Sequence, residues 1–351
     1  MCQYDKRCRV GCHRSQTVCT YARRRSTSNR DGRRASDTQR PEIDSAMTLM
    51  IPFVEDESPF AISDELRFRL IYQANSIRAC GIVLEQPLKP VDGSLFHRLD
   101  TAFALERFSV WVRAYLRSAA EHLAAWADMT VPYGHPRPHP AIIRARPFLV
   151  MGRSALESAA HALWPLCASS EDQCLERFAQ LVIVDMYYFS KALQRADKDT
   201  KEIDQWINAL TAQCEVLGLT IPSRTRTIGQ ETLVYEAARA LEKDPQRWCY
   251  LWNVASGAGH GQKWFTAEGH LALWQHEYEP GHYDQITIAN STLIVEMIEA
   301  AGTALLHGTL NWLACAGHDP GMIQAAARKL SEYFPSEERP EPKPRPFSRV
   351  F

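Results

Sequence analysis

Two stretches of the chain hold the residues best suited to chemistry. "YLWNVASGAGHGQKWF", Tyr250 to Phe265, sets one histidine among three glycines. Tyr250, Asn253, Ser256 and His260 are spaced 3, 3 and 4, so on a helix they share one face. "PFLVMGRSALESAAHALWPL", Pro147 to Leu166, carries Arg153, Glu157 and His161 at i, i+4 and i+8, with Ala155, Ala159, Ala160 and Ala162 for close helix approach. Histidine can move protons near neutral pH, and arginine can grip an anion. A polar stripe on a helix that is apolar elsewhere needs partners, because each unsatisfied buried group costs about 1–3 kcal/mol. Two such stripes facing each other would line a polar cleft inside a helix bundle, with Arg153, Glu157, His161, Tyr250, Asn253 and Ser256 as its ligand-binding residues. The plainer readings are a solvent-facing stripe for Arg153–Glu157–His161 and a helix-end residue for His260. Gly257 and Gly259 fit either case. Each costs about 1 kcal/mol inside a helix, which is tolerable at a helix end or where another group comes very close.

Other site chemistries lack their patterns. A di-iron bundle uses Glu-x-x-His repeats, whereas Glu157 and His161 are four apart and no second copy exists. "GAGHGQ" follows a helix and not a strand, so it is no dinucleotide loop. There is no G-x-S-x-G elbow. His270, His276, Glu277, Glu279, His282 and Asp284 are metal-type donors in the irregular segment 261–285, but histidines six apart match no metal box. Cys8, Cys12, His13 and Cys19 have no C-x-x-C knuckle. No metal and no cofactor are expected.

The elements that must position these groups read as helices throughout. "SDELRFRLIYQANSIRACG" opens on a Ser cap and should close at Gly81. "GSLFHRLDTAFALERFSVWVRAYLRSAAEHLAAWADM" is one long amphipathic helix or two stacked ones. "VPYGHPRPHP" stops it, and Pro147 suits the first turn of the next helix. Ser170 and Gln173 form a capping box for a helix running toward Arg195. Further helices are expected over about 199–217, 230–243, from Asp244–Pro245 through the glycine motif, 289–316 and 319–334. Strand patterns are nearly absent, although "HLALWQHEYEPGHY" has room for a short hairpin. The expected class is all-α: a multi-helix bundle of long antiparallel helices over residues 50–334, with one irregular loop segment at about 261–285. Residues 1–46 read as a disordered basic arm, or as sequence upstream of a true start at Met47, and residues 335–351 as a Pro-rich tail.

Bulk properties narrow the function classes. The formal charge of −1 conceals an arm with eleven Lys/Arg against five Asp/Glu, so the folded part is mildly acidic. That argues against broad attraction to nucleic acid. The segment Ala300–Gly317 is interrupted by His307 and Asn311 and flanked by Glu296 and Glu299, so no membrane span is expected. Scattered cysteines without a secretory leader read as reduced, mostly buried thiols of a cytoplasmic protein.

"RSALESAAHALWPL", the Arg/Glu-containing "SSEDQCLERFAQL" and the Tyr250-x5-Ser256-x3-His260-Gly261 pattern together resemble a group of actinobacterial and phage helical proteins, over roughly residues 60–316. These in turn are similar to the HEPN-like superfamily. The resemblance implies an all-helical binding or interaction module, in service of phage or stress defence, or else a metal-independent endoribonuclease acting on RNA as a homodimer. The ribonuclease pattern places a polar residue after an arginine and a histidine a few positions on, which Arg117, Ser118 and His122 match in "RSAAEH". On that reading His260 or His122 would handle the 2′-hydroxyl or the leaving oxygen, while Arg117 or Arg153 steadies the phosphate.

Overall fold

The structure is a computed structural model that describes residues 63–131, 144–221 and 228–332. The chain enters through α1 (Asp64–Glu85), capped as expected by Ser63, whose Oγ accepts from the Leu66 amide. The helix does not stop at Gly81. It runs one turn further to Gln86, which is extended because it precedes Pro87. The carbonyls freed there are taken by one side chain: Arg113 donates to Leu84 O (Nε, 2.7 Å), Gln86 O and Leu88 O, with its guanidinium 5.4 Å from the ring centre of Trp312. Satisfying a helix C-terminus in this way removes orphaned acceptors from a partly buried place.

The long second segment divides into α2 (Leu95–Ala102) and α3 (Phe108–Thr130). Arg107, at the start of α3, makes no side-chain cap; Asp100 reaches across the break instead, accepting from the amide (3.0 Å) and hydroxyl (2.5 Å) of Ser109. Next comes α4 (Ala145–Leu166), with Pro147 in its first turn. Then α5 (Glu171–Arg195) and α6 (Lys201–Val216) form a helical hairpin, pinned by Ser190 Oγ to Asp204 at 3.1 Å. Ser170 caps α5 as predicted, but Gln173 returns its carbonyl oxygen to the Ser169 amide (2.8 Å), one residue earlier than a standard box.

After α7 (Gln230–Ala240) and α8 (Pro245–Gly259), the expected irregular segment is in fact ordered. A short helix α9 (Phe265–Gly269) leads into strands β1 (His270–Glu279) and β2 (His282–Ala289), paired antiparallel around Pro280–Gly281. Gly281 has φ +76°, the value a Pro-Gly type II turn requires at its second position. Helices α10 (Ser291–Ala316) and α11 (Gly321–Glu332) complete the fold.

The class is all-α, with one small two-stranded sheet among the described residues. Helix α4 is the hub: α3, α5, α7, α8 and α10 all pack on it. A Cβ on Gly152 would lie 2.8 Å from Met297 Cγ, so the missing side chain is what lets α4 and α10 approach. Phe96, Phe103, Phe108 and Phe178 interlock edge to face beside Trp312. Helix α10 is long and apolar enough to cross a membrane, yet 67% of its most apolar window is buried within the fold, as in a core helix. The basic arm, the Cys8–Cys19 cluster and the Pro-rich tail lie outside the described residues.

Candidate functional site

The glycine motif resolves into a helix end. Asp244 caps α8 by accepting from the Gln246 and Arg247 amides, and Pro245 occupies its first position. At the other end Gln262 N bonds to Gly257 O and Gly261 N to Ala258 O, with Gly261 at φ +66°. This is the Schellman arrangement, and it makes His260 the capping residue itself. The His260 side chain is exposed and has no hydrogen-bond partner among the described residues. Gly257 is required because the Trp264 ring lies where its Cβ would stand, whereas a Cβ on Gly259 would only touch Val150 at 3.4 Å, an ordinary contact.

The two polar stripes do not face each other as expected. Tyr250 donates to Glu268 of α9, with the Arg247 guanidinium 4.7 Å from its ring centre. Asn253 donates to Glu231 on α7 and to Cys249 O, both at 3.1 Å. Ser256 is half-buried. Helix α8 instead meets α4 through Trp252, a residue the stripe left out. Its Nε1 donates to Glu157 Oε1 at 2.6 Å, the same oxygen that accepts from Arg153 Nε at 2.9 Å. The Arg153 guanidinium in turn sits 5.1 Å from the centre of the Trp252 ring. Arg153, Glu157 and Trp252 thus form a closed buttress between the two helices. The reason is geometric: Trp252 is long enough to cross the helix–helix gap, and its indole N–H needs an acceptor once half-buried.

His161 turns the other way, toward α3 and α5. Its Nδ1 is 2.7 Å from Glu157 O, and a carbonyl can only accept, so Nδ1 carries the proton and Nε2 presents a bare lone pair. The ring stacks on Tyr115 of α3 at 5.2 Å. Burial pushes the imidazole pKa below its usual value, against the opposing pull of the Glu157 carbonyl and the charges of Glu157 and Asp185. The same burial raises the Tyr115 phenol, helped by Asp185 of α5. Asp185 is itself raised by desolvation, with His161 opposing. Three titratable groups on three helices therefore feel one another. Neither the Tyr115 hydroxyl, Asp185 nor His161 Nε2 has a hydrogen-bond partner among the described residues. One turn along the same seam, the hydroxyls of Ser118 and Ser158 lie 3.2 Å apart.

Arg117 is held by Glu85 through two bonds of 2.7 and 2.9 Å, and His122 is exposed one turn beyond it. No bond among the described residues links either to His260. No group of three metal-type ligands occurs among the described residues. The six described cysteines are unpaired, and burial pushes Cys80 and Cys174 up to about 12 and Cys214 to about 11, which makes them poor nucleophiles. Two depressions lie elsewhere: one beside Trp164, Arg177 and Arg239, another beside Tyr235 and Gln246.

Tyr115, Asp185 and Trp252 were not singled out from the sequence. Asp185 had left a signal, as the lone charge in "LVIVDMYYF"; Tyr115 and Trp252 had none beyond their amphipathic chemistry. No protein-family model, curated protein or solved structure matches the chain.

Proposed function

We propose that the protein is a binding module whose ligand sits over His161, Tyr115 and Asp185, where α3, α4 and α5 converge. The observation that carries this reading is the tautomer of His161. A neutral imidazole with its lone pair outward, beside an unpartnered carboxylate and phenol, is a site with unmet acceptor capacity. A half-buried imidazole and phenol beside the solvent-exposed Asp185 carboxylate suit a small ligand rich in hydrogen-bond donors, and the negative Asp185 beside the aromatic Tyr115 favours an amine. The Arg153–Glu157–Trp252 buttress supports the site by fixing the Glu157 turn that orients the imidazole.

The test is nitrogen NMR of histidine-labelled protein, titrated with putrescine and, in parallel, with sorbitol. His161 should appear as the neutral Nδ1–H form at pH 7, and putrescine should move its Nε2 resonance in the wild type but not in Asp185→Asn. A protonated His161, or no movement with either probe, would overturn the proposal. RNA incubated with the same protein and chelator supplies the competing outcome. Cleavage lost in a well-folded His122→Ala or His260→Ala variant would replace the binding module with a HEPN-like ribonuclease.

A further inference from the structure

The β-hairpin has a chemistry that the helical body does not explain. Its register pairs Leu271 with Ile288 and Trp274 with Ile286, and opposite residues of an antiparallel pair share a face. That face is apolar near the base of the hairpin and carries His276, Asp284 and His282 near the turn. The other face pairs Ala272 with Thr287, Gln275 with Gln285 and Glu277 with Tyr283, and is polar. The apolar face is open to solvent: Leu271 and Trp274 are each 49% exposed and Ile286 is 37% exposed. A lone two-stranded hairpin is marginal in water and normally needs a third strand or a covering layer.

Its two edges are not equivalent. Both register shifts insert an extra residue into β1, at Leu273 and Tyr278, whereas β2 runs without interruption from His282 to Ala289. Bulges blunt an edge against pairing, so β1 is protected and β2 is not. Neither strand contains a lysine, arginine or proline, the usual guards of an open edge. The charges of the hairpin are Glu277, Glu279 and Asp284, all acidic and all in the half nearest the turn.

We infer that β2 pairs with β2 of a second copy of this chain, antiparallel, forming a four-stranded sheet across a two-fold axis. The charge layout selects this occupant. Antiparallel pairing sends the two acidic turns to opposite ends, so like charges separate and the acidic half of each β2 lies against the uncharged half of the other. An axis through Ile286 brings the two Ile286 side chains together and sets Asp284 across from Ile288 of the other copy, never from its own equivalent. The Leu271, Trp274, Ile286 and Ile288 faces of both copies then merge into one surface.

Sedimentation velocity of the full chain over a dilution series tests this, with circular dichroism and melting curves as the check on folding. The wild type should sediment at twice the chain mass and dissociate on dilution. Ile286→Lys, which puts a charge at the axis of the open edge, should be monomeric with an unchanged helical signal. Tyr278→Lys, in a bulge of the protected strand, should still dimerise. A wild-type chain that stays monomeric up to its solubility limit would overturn the inference, as would a dimer that survives Ile286→Lys.

Discussion

Glu157 is the most informative residue to perturb, because one carboxylate oxygen serves both Trp252 and Arg153. Replacing it with Ala strands the Trp252 indole N–H and leaves Arg153 unpaired. A hydrogen bond to a charged acceptor contributes about 1.5–3 kcal/mol. The Glu157 and Arg153 side chains retain 22% and 23% exposure, so water screens the ion pair to about 0.3–0.5 kcal/mol, the range of an i,i+4 helix pair. The indole bond falls toward the low end of its range for the same reason. Together these give a loss of about 2 kcal/mol for Glu157→Ala and about 1 kcal/mol for Glu157→Gln, whose carbonyl can still accept from Trp252. Urea unfolding of Glu157→Ala, Trp252→Phe and the double variant isolates the pair, with an expected coupling of about 1–1.5 kcal/mol. A coupling below about 0.3 kcal/mol would refute the buttress, and with it the claim that α8 is fixed to α4 through Trp252.

Stability should also depend on pH through His161. Its folded pKa lies below the unfolded value, so above pH 6.5 both states are neutral there and nothing is lost. As pH falls below 6.5 the unfolded chain takes up the proton first and stability declines until the folded pKa is passed. Urea titrations from pH 7.5 to 5 should show that decline, and His161→Gln should flatten it. Arg113→Met removes the donor that satisfies the end of α1 and should cost about 3 kcal/mol, two charge-assisted bonds to backbone at the low end of their range of about 1.5–3 kcal/mol each; thermal melting will read it. His260→Ala should change stability by less than about 0.5 kcal/mol, as for an exposed residue, while Gly261→Ala, which forces a side chain into the left-handed region, should cost about 1 kcal/mol. The reverse order would mean that the histidine, not the glycine, closes the helix.

The sequence by itself determined the helical class, most helix starts and the punctuation between helices. Ser63, Ser170 and Asp244 cap their helices where the pattern places them, and Pro147 and Pro245 sit in first turns. Such signals are local: a cap is a bond across three residues, and a proline acts on its own backbone. Local rules failed where a distant group intervened. Gly81 looked like a stop, but α1 continues until Pro87, and Arg113 from another helix satisfies its end. The segment at 261–285 looked irregular because its alternation is broken twice by the extra residues in β1, and period-two patterns do not survive a bulge. The polar residues of α4 and α8 were visible, but their partners were not. Spacing shows which residues share a face of one helix, and it carries no information on which neighbour that face meets. Only the tertiary packing decided that Glu157 would belong to Trp252 and that His161 would lie on Tyr115 near Asp185.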